Sequence, residues 1–195
     1  MFCNTPFYYL EVFENYYSPC CPAWVDEEMQ LPVQGNSILE AWRSEKFQKF
    51  RASINDGSFK YCNRTCPNFR SETDVSTVRN SKELLPPLRI VRFSFDRGCN
   101  LKCPSCRSEK IECNEEKIKD RIQDIQREVG QDLTRIELSG TGDPIYSKAL
   151  RDWMINYNPE DFPNVRTIHL CTNAQLFTKQ FYGKLTKIKP YLKSL

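Results

Sequence analysis

Cys99, Cys103 and Cys106 lie in one stretch, FDRGCNLKCPSCRSE, at residues 95–109. Thiolates spaced this closely can wrap a single soft metal centre. A four-iron cubane held by three thiolates leaves one iron without a protein ligand. That iron can take a small molecule, much as a catalytic zinc keeps one position open. The competing reading of the same residues is a structural zinc knuckle that borrows a fourth cysteine from elsewhere.

Cys3, Cys20, Cys21, Cys62 and Cys66 form a second set upstream. On residue types alone a four-cysteine zinc site is one reading of it. Cys113 and Cys171 have no partner at metal-ligand spacing and read as spare thiols. His169, the single histidine, falls inside a predicted strand and reads as a packed side chain.

The bulk numbers narrow the class. The chain has 195 residues, with 28 basic and 25 acidic side chains interspersed, for a net charge of +3. No basic stripe argues for nucleic acid, and no apolar run is long enough to span a bilayer. The N-terminus lacks the pattern of a signal peptide. A cytoplasmic setting is expected, where ten cysteines point to metal or redox chemistry rather than disulfides. A secreted disulfide protein is the weaker alternative.

The elements that must position these thiols change character along the chain. FYYLEVF and YYSPCC predict two strands joined by a turn at Glu14-Asn15. Residues 35–57 predict one or two helices, with Asn36 and Ser44 as N-caps and Gly57 as terminator. Residues 67–87 are polar and end in a double proline, which is a linker signal. From residue 88 strands and helices alternate. LRIVRFSF is a strand, and the three-cysteine loop follows it. NEEKIKDRIQDIQREVG is a helix capped by Asn114, with Ile118, Ile122, Ile125 and Val129 on one face. TRIELS and TIHLCT are further strands. YSKALRDWMINY is a helix, and another begins near Thr178. Three strand–helix units imply parallel strands with right-handed crossovers, an α/β fold with its chemistry at the strand ends.

CNLKCPSC resembles the CxxxCxxC signature of the radical S-adenosylmethionine superfamily. The resemblance implies a [4Fe–4S] cluster on Cys99, Cys103 and Cys106, with its free iron binding S-adenosylmethionine. It also implies reductive cleavage to a 5′-deoxyadenosyl radical that abstracts hydrogen from a peptide or small-molecule substrate. A flavodoxin- or ferredoxin-like electron donor is implied too. LSGTGDP resembles the family's glycine-glycine-glutamate motif. The match places Thr141, Gly142 and Asp143 at the methionine end of the cofactor, with Pro144 starting the next helix. Thr141 and Asp143 depart from the family residues. Thr172 and Asn173 resemble a Thr-Asn pair at the end of the third barrel strand, and Asn173 is a further cofactor contact. Ser105 stands where the family often has an aromatic residue.

The upstream set resembles the SPASM and twitch auxiliary-cluster domains, with Asn15 at the place of a turn glycine. The resemblance implies a second [4Fe–4S] cluster on Cys3, Cys20, Cys62 and Cys66, with Cys21 competing for the place of Cys20. The expected organisation is therefore an auxiliary-cluster α+β domain at 1–66, a linker at 67–87 and half of a partial (β/α) barrel at 88–195. Three units of a six-unit barrel leave the third strand as an exposed edge, so a truncated chain is expected: a gene fragment, a split protein, or a half completed by a partner chain. The rival from another class is a non-catalytic zinc- or iron–sulfur-binding scaffold.

Overall fold

The computed structural model describes residues 3–67, 84–138 and 141–194. Most of the expected linker lies outside the described residues. The fold is α/β, built on one seven-stranded sheet in the order β3-β2-β1-β4-β5-β6-β7. The strands are β1 (Tyr9–Phe13), β2 (Tyr16–Ser18), β3 (Leu31–Pro32), β4 (Ile90–Ser94), β5 (Arg135–Leu138), β6 (Thr167–Leu170) and β7 (Leu192–Ser194). β1 and β4 to β7 run parallel; β2 and β3 are antiparallel additions at one side.

The predicted hairpin at Glu14-Asn15 is present as β1 and β2. Its partner is the finding: β1 lies parallel to β4, so the upstream residues extend the same sheet as the downstream units. Three units lead one to expect the third strand at an exposed edge; instead β7 pairs with it across Ile168 and Leu192.

Local chemistry sets the helices. α1 (Ile38–Arg43) begins at Ser37, not Asn36. Ser37 and Glu40 satisfy each other's backbone N–H in a capping box, which fixes the start one residue later than expected. α2 (Glu45–Asn55) is capped by Ser44, and Gly57 takes φ 76° just beyond it. α3 (Glu115–Val129) is capped by Asn114 and buries the four predicted apolar positions. α4 (Lys148–Ile155) starts at the Ser147 cap rather than at Pro144. Ile145 and Tyr146 N–H groups bond to Asp143 instead, holding a turn before the helix. α5 (Lys179–Lys184) starts at the predicted Thr178.

Strand alternation divides the sheet into two faces. Leu10, Val12, Val91, Phe93, Ile136, Leu138, Ile168 and Leu170 are buried in one core with side chains from α1, α3, α4 and α5. The intervening residues form the opposite face. One register row there reads Glu11, Arg92, Glu137 and His169 across β1, β4, β5 and β6. A smaller apolar cluster, with Phe7, Val25, Phe50 and Ile54, supports the upstream cysteines.

Candidate functional site

The three-cysteine loop leaves the C-terminal end of β4 and runs to Asn114. Parallel strands expose their C-terminal ends to ligands here. Cys99 is half-buried, whereas Cys103 and Cys106 are exposed. A turn closes the pair, with the Cys106 N–H donating to the Cys103 carbonyl at 2.9 Å. Arg107 then anchors the loop. Its guanidinium donates to the carbonyls of Arg97 and Thr141, each at 2.8 Å, and reaches Cys106 Sγ at 3.7 Å.

The residues expected at the other strand ends come to the same place. Thr141 Oγ1 donates to the carbonyls of Ser94 and Asp96 at the end of β4. Gly142 lies so close to the loop that a Cβ there would overlap the Gly98 carbonyl oxygen. The Asp143 N–H donates to that same oxygen at 2.8 Å. Asn173 Nδ2 reaches Cys99 Sγ at 3.6 Å and donates to Asn100 Oδ1 at 2.9 Å.

Asp143 is 3% exposed, and its carboxylate accepts hydrogen bonds from neighbouring groups. Oδ2 accepts from Thr172 Oγ1 at 2.8 Å and from the Asn173 N–H at 2.7 Å, while Oδ1 accepts from Ile145 N–H. The carboxylate therefore ties the ends of β5 and β6 together and aims the Asn173 turn.

Asp96 supports the loop from below. Its Oδ1 accepts from the Gly98 N–H at 2.8 Å, and Oδ2 is buried without a hydrogen-bond partner. Burial pushes its carboxyl up to about 6, against the pull of the Gly98 bond. Burial, then Asp96, pushes the neighbouring Cys113 thiol up. Glu115 gains in acidity despite burial, because the N–H groups of Ala149 and Lys148 and the Ser147 hydroxyl outweigh it.

The upstream cysteines are assembled by backbone pairing. Val25 and Cys62 form an antiparallel bridge, flanked by Asp26 N–H to Tyr61 carbonyl and Asn63 N–H to Trp24 carbonyl, each at 2.9 Å. This brings the Cys20-Cys21 segment against the Cys62–Cys66 turn. Burial first, and then Cys3, pushes the Cys20 thiol up. Cys62 is pushed up to about 12 by burial, then by Cys3 and Cys66. Cys3 thus lies near both Cys20 and Cys62, and Cys66 near Cys62.

None of the ten cysteines is joined in a disulfide. Among the described residues no group of three or more His, Cys, Asp or Glu side chains is close enough to hold a metal ion. A cubane spreads its thiolates wider than one ion does. The donor sets, with N–H groups from Leu101 and Asn173 at Cys99 Sγ, suit a soft metal centre in kind.

Asp96, Asn100 and Arg107 were missed by motif reading, because each acts on loop backbone or amides rather than through a ligand-type pattern. No helix among the described residues is long and apolar enough to cross a membrane. Comparison with known proteins gives no family: no family model, curated protein or solved structure matches the chain.

Proposed function

We propose that the chain has the chemistry of a radical S-adenosylmethionine enzyme acting on a peptide or small molecule. In this reading 88–195 supplies part of a partial barrel and the upstream module carries an auxiliary cluster. One observation carries the proposal: the CNLKCPSC loop follows a parallel strand, and the ends of the next two strands converge on it. Cys99, Cys103 and Cys106 would hold one [4Fe–4S] cluster; Cys3, Cys20, Cys62 and Cys66 would hold the second, with Cys21 the competing ligand. Bound there, the cluster and S-adenosylmethionine would supply one-electron cleavage of a sulfonium and hence hydrogen abstraction.

The chain's own residues prepare that site. Gly142 lets the β5 end approach the loop backbone without a side chain between them. Asn173 donates toward Cys99 Sγ and would moderate the charge of a ligating thiolate. Asp143 is a positioning residue, since its oxygens hold Thr172 and Asn173. Arg107 fixes Cys106 to the strand ends.

Anaerobic purification and reconstitution test the reading. The expected result is about eight irons with matching sulfide, four per cubane, and 5′-deoxyadenosine on adding reductant and S-adenosylmethionine. Zinc without labile sulfide would replace it with the scaffold reading.

A further inference from the structure

Two cavities open on the polar face of the sheet. One, of about 260 Å³, lies beside the upstream cysteines and is lined by Tyr9, near the beginnings of β1 and β4. The other, of about 270 Å³, lies at their ends, between the Glu14-Asn15 turn and the three-cysteine loop. Phe13, Ser94, Arg97 and Thr141 are among its walls. Among the described residues none lines both cavities.

Glu11 stands between them. Strand alternation puts Tyr9, Glu11 and Phe13 on one face of β1, and Phe13 is the register partner of Ser94. Glu11 is 5% exposed, and each of its oxygens has a hydroxyl partner. Tyr9 Oη donates to Oε2 at 3.0 Å, and Ser94 Oγ donates to Oε1 at 2.6 Å. Burial requires only that such a carboxyl be satisfied. It does not require that the two donors border different cavities, as these do. Burial favours the proton on Glu11, outweighing the opposite pull of Ser94, Arg92 and Tyr9; Glu137 adds to burial from beyond Arg92. Tyr16, from β2, is the other titratable group near it. Hydroxyls accept as well as donate, so the connection persists whether Glu11 is charged or neutral.

We propose that Tyr9, Glu11 and Ser94 form a proton-conducting chain, joining a group bound in the loop-side cavity to the cavity at the strand beginnings. Loading follows the observed hydrogen bonds. An acid in the loop-side cavity gives its proton to Ser94 Oγ as the Ser94 O–H proton passes to Oε1. At the other end a hydronium ion gives a proton to Tyr9 Oη as the Tyr9 O–H proton passes to Oε2. Either step restores the hydroxyl, leaves Glu11 neutral and changes no oxidation state. Emptying is the reverse, and a half-turn of the carboxyl exchanges its two oxygens. The chain serves any bound group that gains or loses a proton beside Ser94. It goes beyond the radical reading and needs no cluster.

Proton uptake by Glu11 in the full-length chain tests this, after a rapid pH drop across its midpoint. The readout is the infrared carboxyl band that Glu11→Gln abolishes. Two parallel entries mean that Ser94→Ala and Tyr9→Phe each slow uptake by about twofold, whereas the double variant slows it by about a hundredfold. If Ser94→Ala does not fold, Ser94→Cys replaces it, since a thiol is a weak donor. A double variant no slower than the slower single would show one entry and a dead end. Wild-type uptake in the double variant would show that protons arrive by opening of the fold. Either result overturns the proposal, whatever metal the cysteines hold.

Discussion

The two cysteine regions are built on opposite plans. The upstream set is held before any metal arrives: a β-bridge, paired backbone hydrogen bonds and a small apolar cluster bring its segments together. The downstream set sits on a loop with two exposed thiols, and its order comes from the ends of neighbouring strands. Buried thiols surrounded by other thiols resist ionisation, as Cys20 and Cys62 do. On the proposed reading, metal entry there would displace protons, so occupancy would rise with pH. The exposed loop would leave room for a small-molecule ligand beside a bound cluster. The contrast is between a thiol set assembled by backbone pairing and one presented on an open loop.

The largest expected effect would break the first plan. Arg51 is fully buried and donates to the carbonyls of Pro6, Trp42 and Leu84 at 2.8 to 3.0 Å, with its guanidinium 3.9 Å from the Trp42 ring centroid. It joins the segment near Cys3 to the entry of β4. Arg51→Met strands three acceptors and should cost about 3–5 kcal/mol. Urea unfolding measures it, and a loss below about 1 kcal/mol would show that the upstream region is held otherwise.

Gly142→Ala attacks the second plan. A Cβ there overlaps the Gly98 carbonyl, which is backbone and cannot turn aside. A cost of about 2–3 kcal/mol is expected. Iron should be lost from the downstream site alone, leaving about half the reconstituted content. Equal loss from both sites would erase the distinction between the two plans.

Asp96 sharpens the comparison by pH. Its folded-state carboxyl is raised from 3.8 to about 6, so the folded state binds the proton more tightly than the unfolded chain. The stability it contributes is full below the unfolded value and is lost as pH rises toward 6. Asp96→Asn should remove that loss, a gain of up to ~2–3 kcal/mol at neutral pH for the metal-free protein. Denaturant midpoints at pH 4 and 7 decide it; an unchanged pH profile counts against the assignment.

Arg107→Gln is the smallest. It releases two loop carbonyls at an exposed site and should cost about 0.5–1 kcal/mol. Faster amide exchange confined to the Cys103–Arg107 turn is the signature; exchange unchanged there would mean that the turn holds itself.

Much of this arrangement was legible because it is local. The α3 stripe, its Asn114 cap, the Glu14-Asn15 hairpin and the Thr178 start follow from periodicity and capping chemistry within a few residues. The Ser37 start was also written in the sequence, as Ser-x-x-Glu, but Asn36 stood beside it. Partner choice between distant strands was not legible. β1 could be recognised as a strand, yet nothing near residue 9 says that its neighbour begins at Ile90. β7 is three residues long and carries no alternation to read. The hydrogen bonds of Asp143 were not legible either, because their donors, Thr172 and Asn173, are supplied by another strand. The Glu11–Arg92–Glu137–His169 row is visible only once the register is known, since each strand contributes a single charged or ionisable member.

Parallel pairing of β1 with β4 also sets a distance. One cysteine group lies beside the beginnings of these strands and the other beyond their ends, so five residues of extended backbone, about 16 Å, stand between. Covalent geometry and a hydrogen-bonded ladder make that interval a stiff ruler. Anything passing between the two ends, a charge or the reach of a long ligand, must match a length the sheet does not adjust.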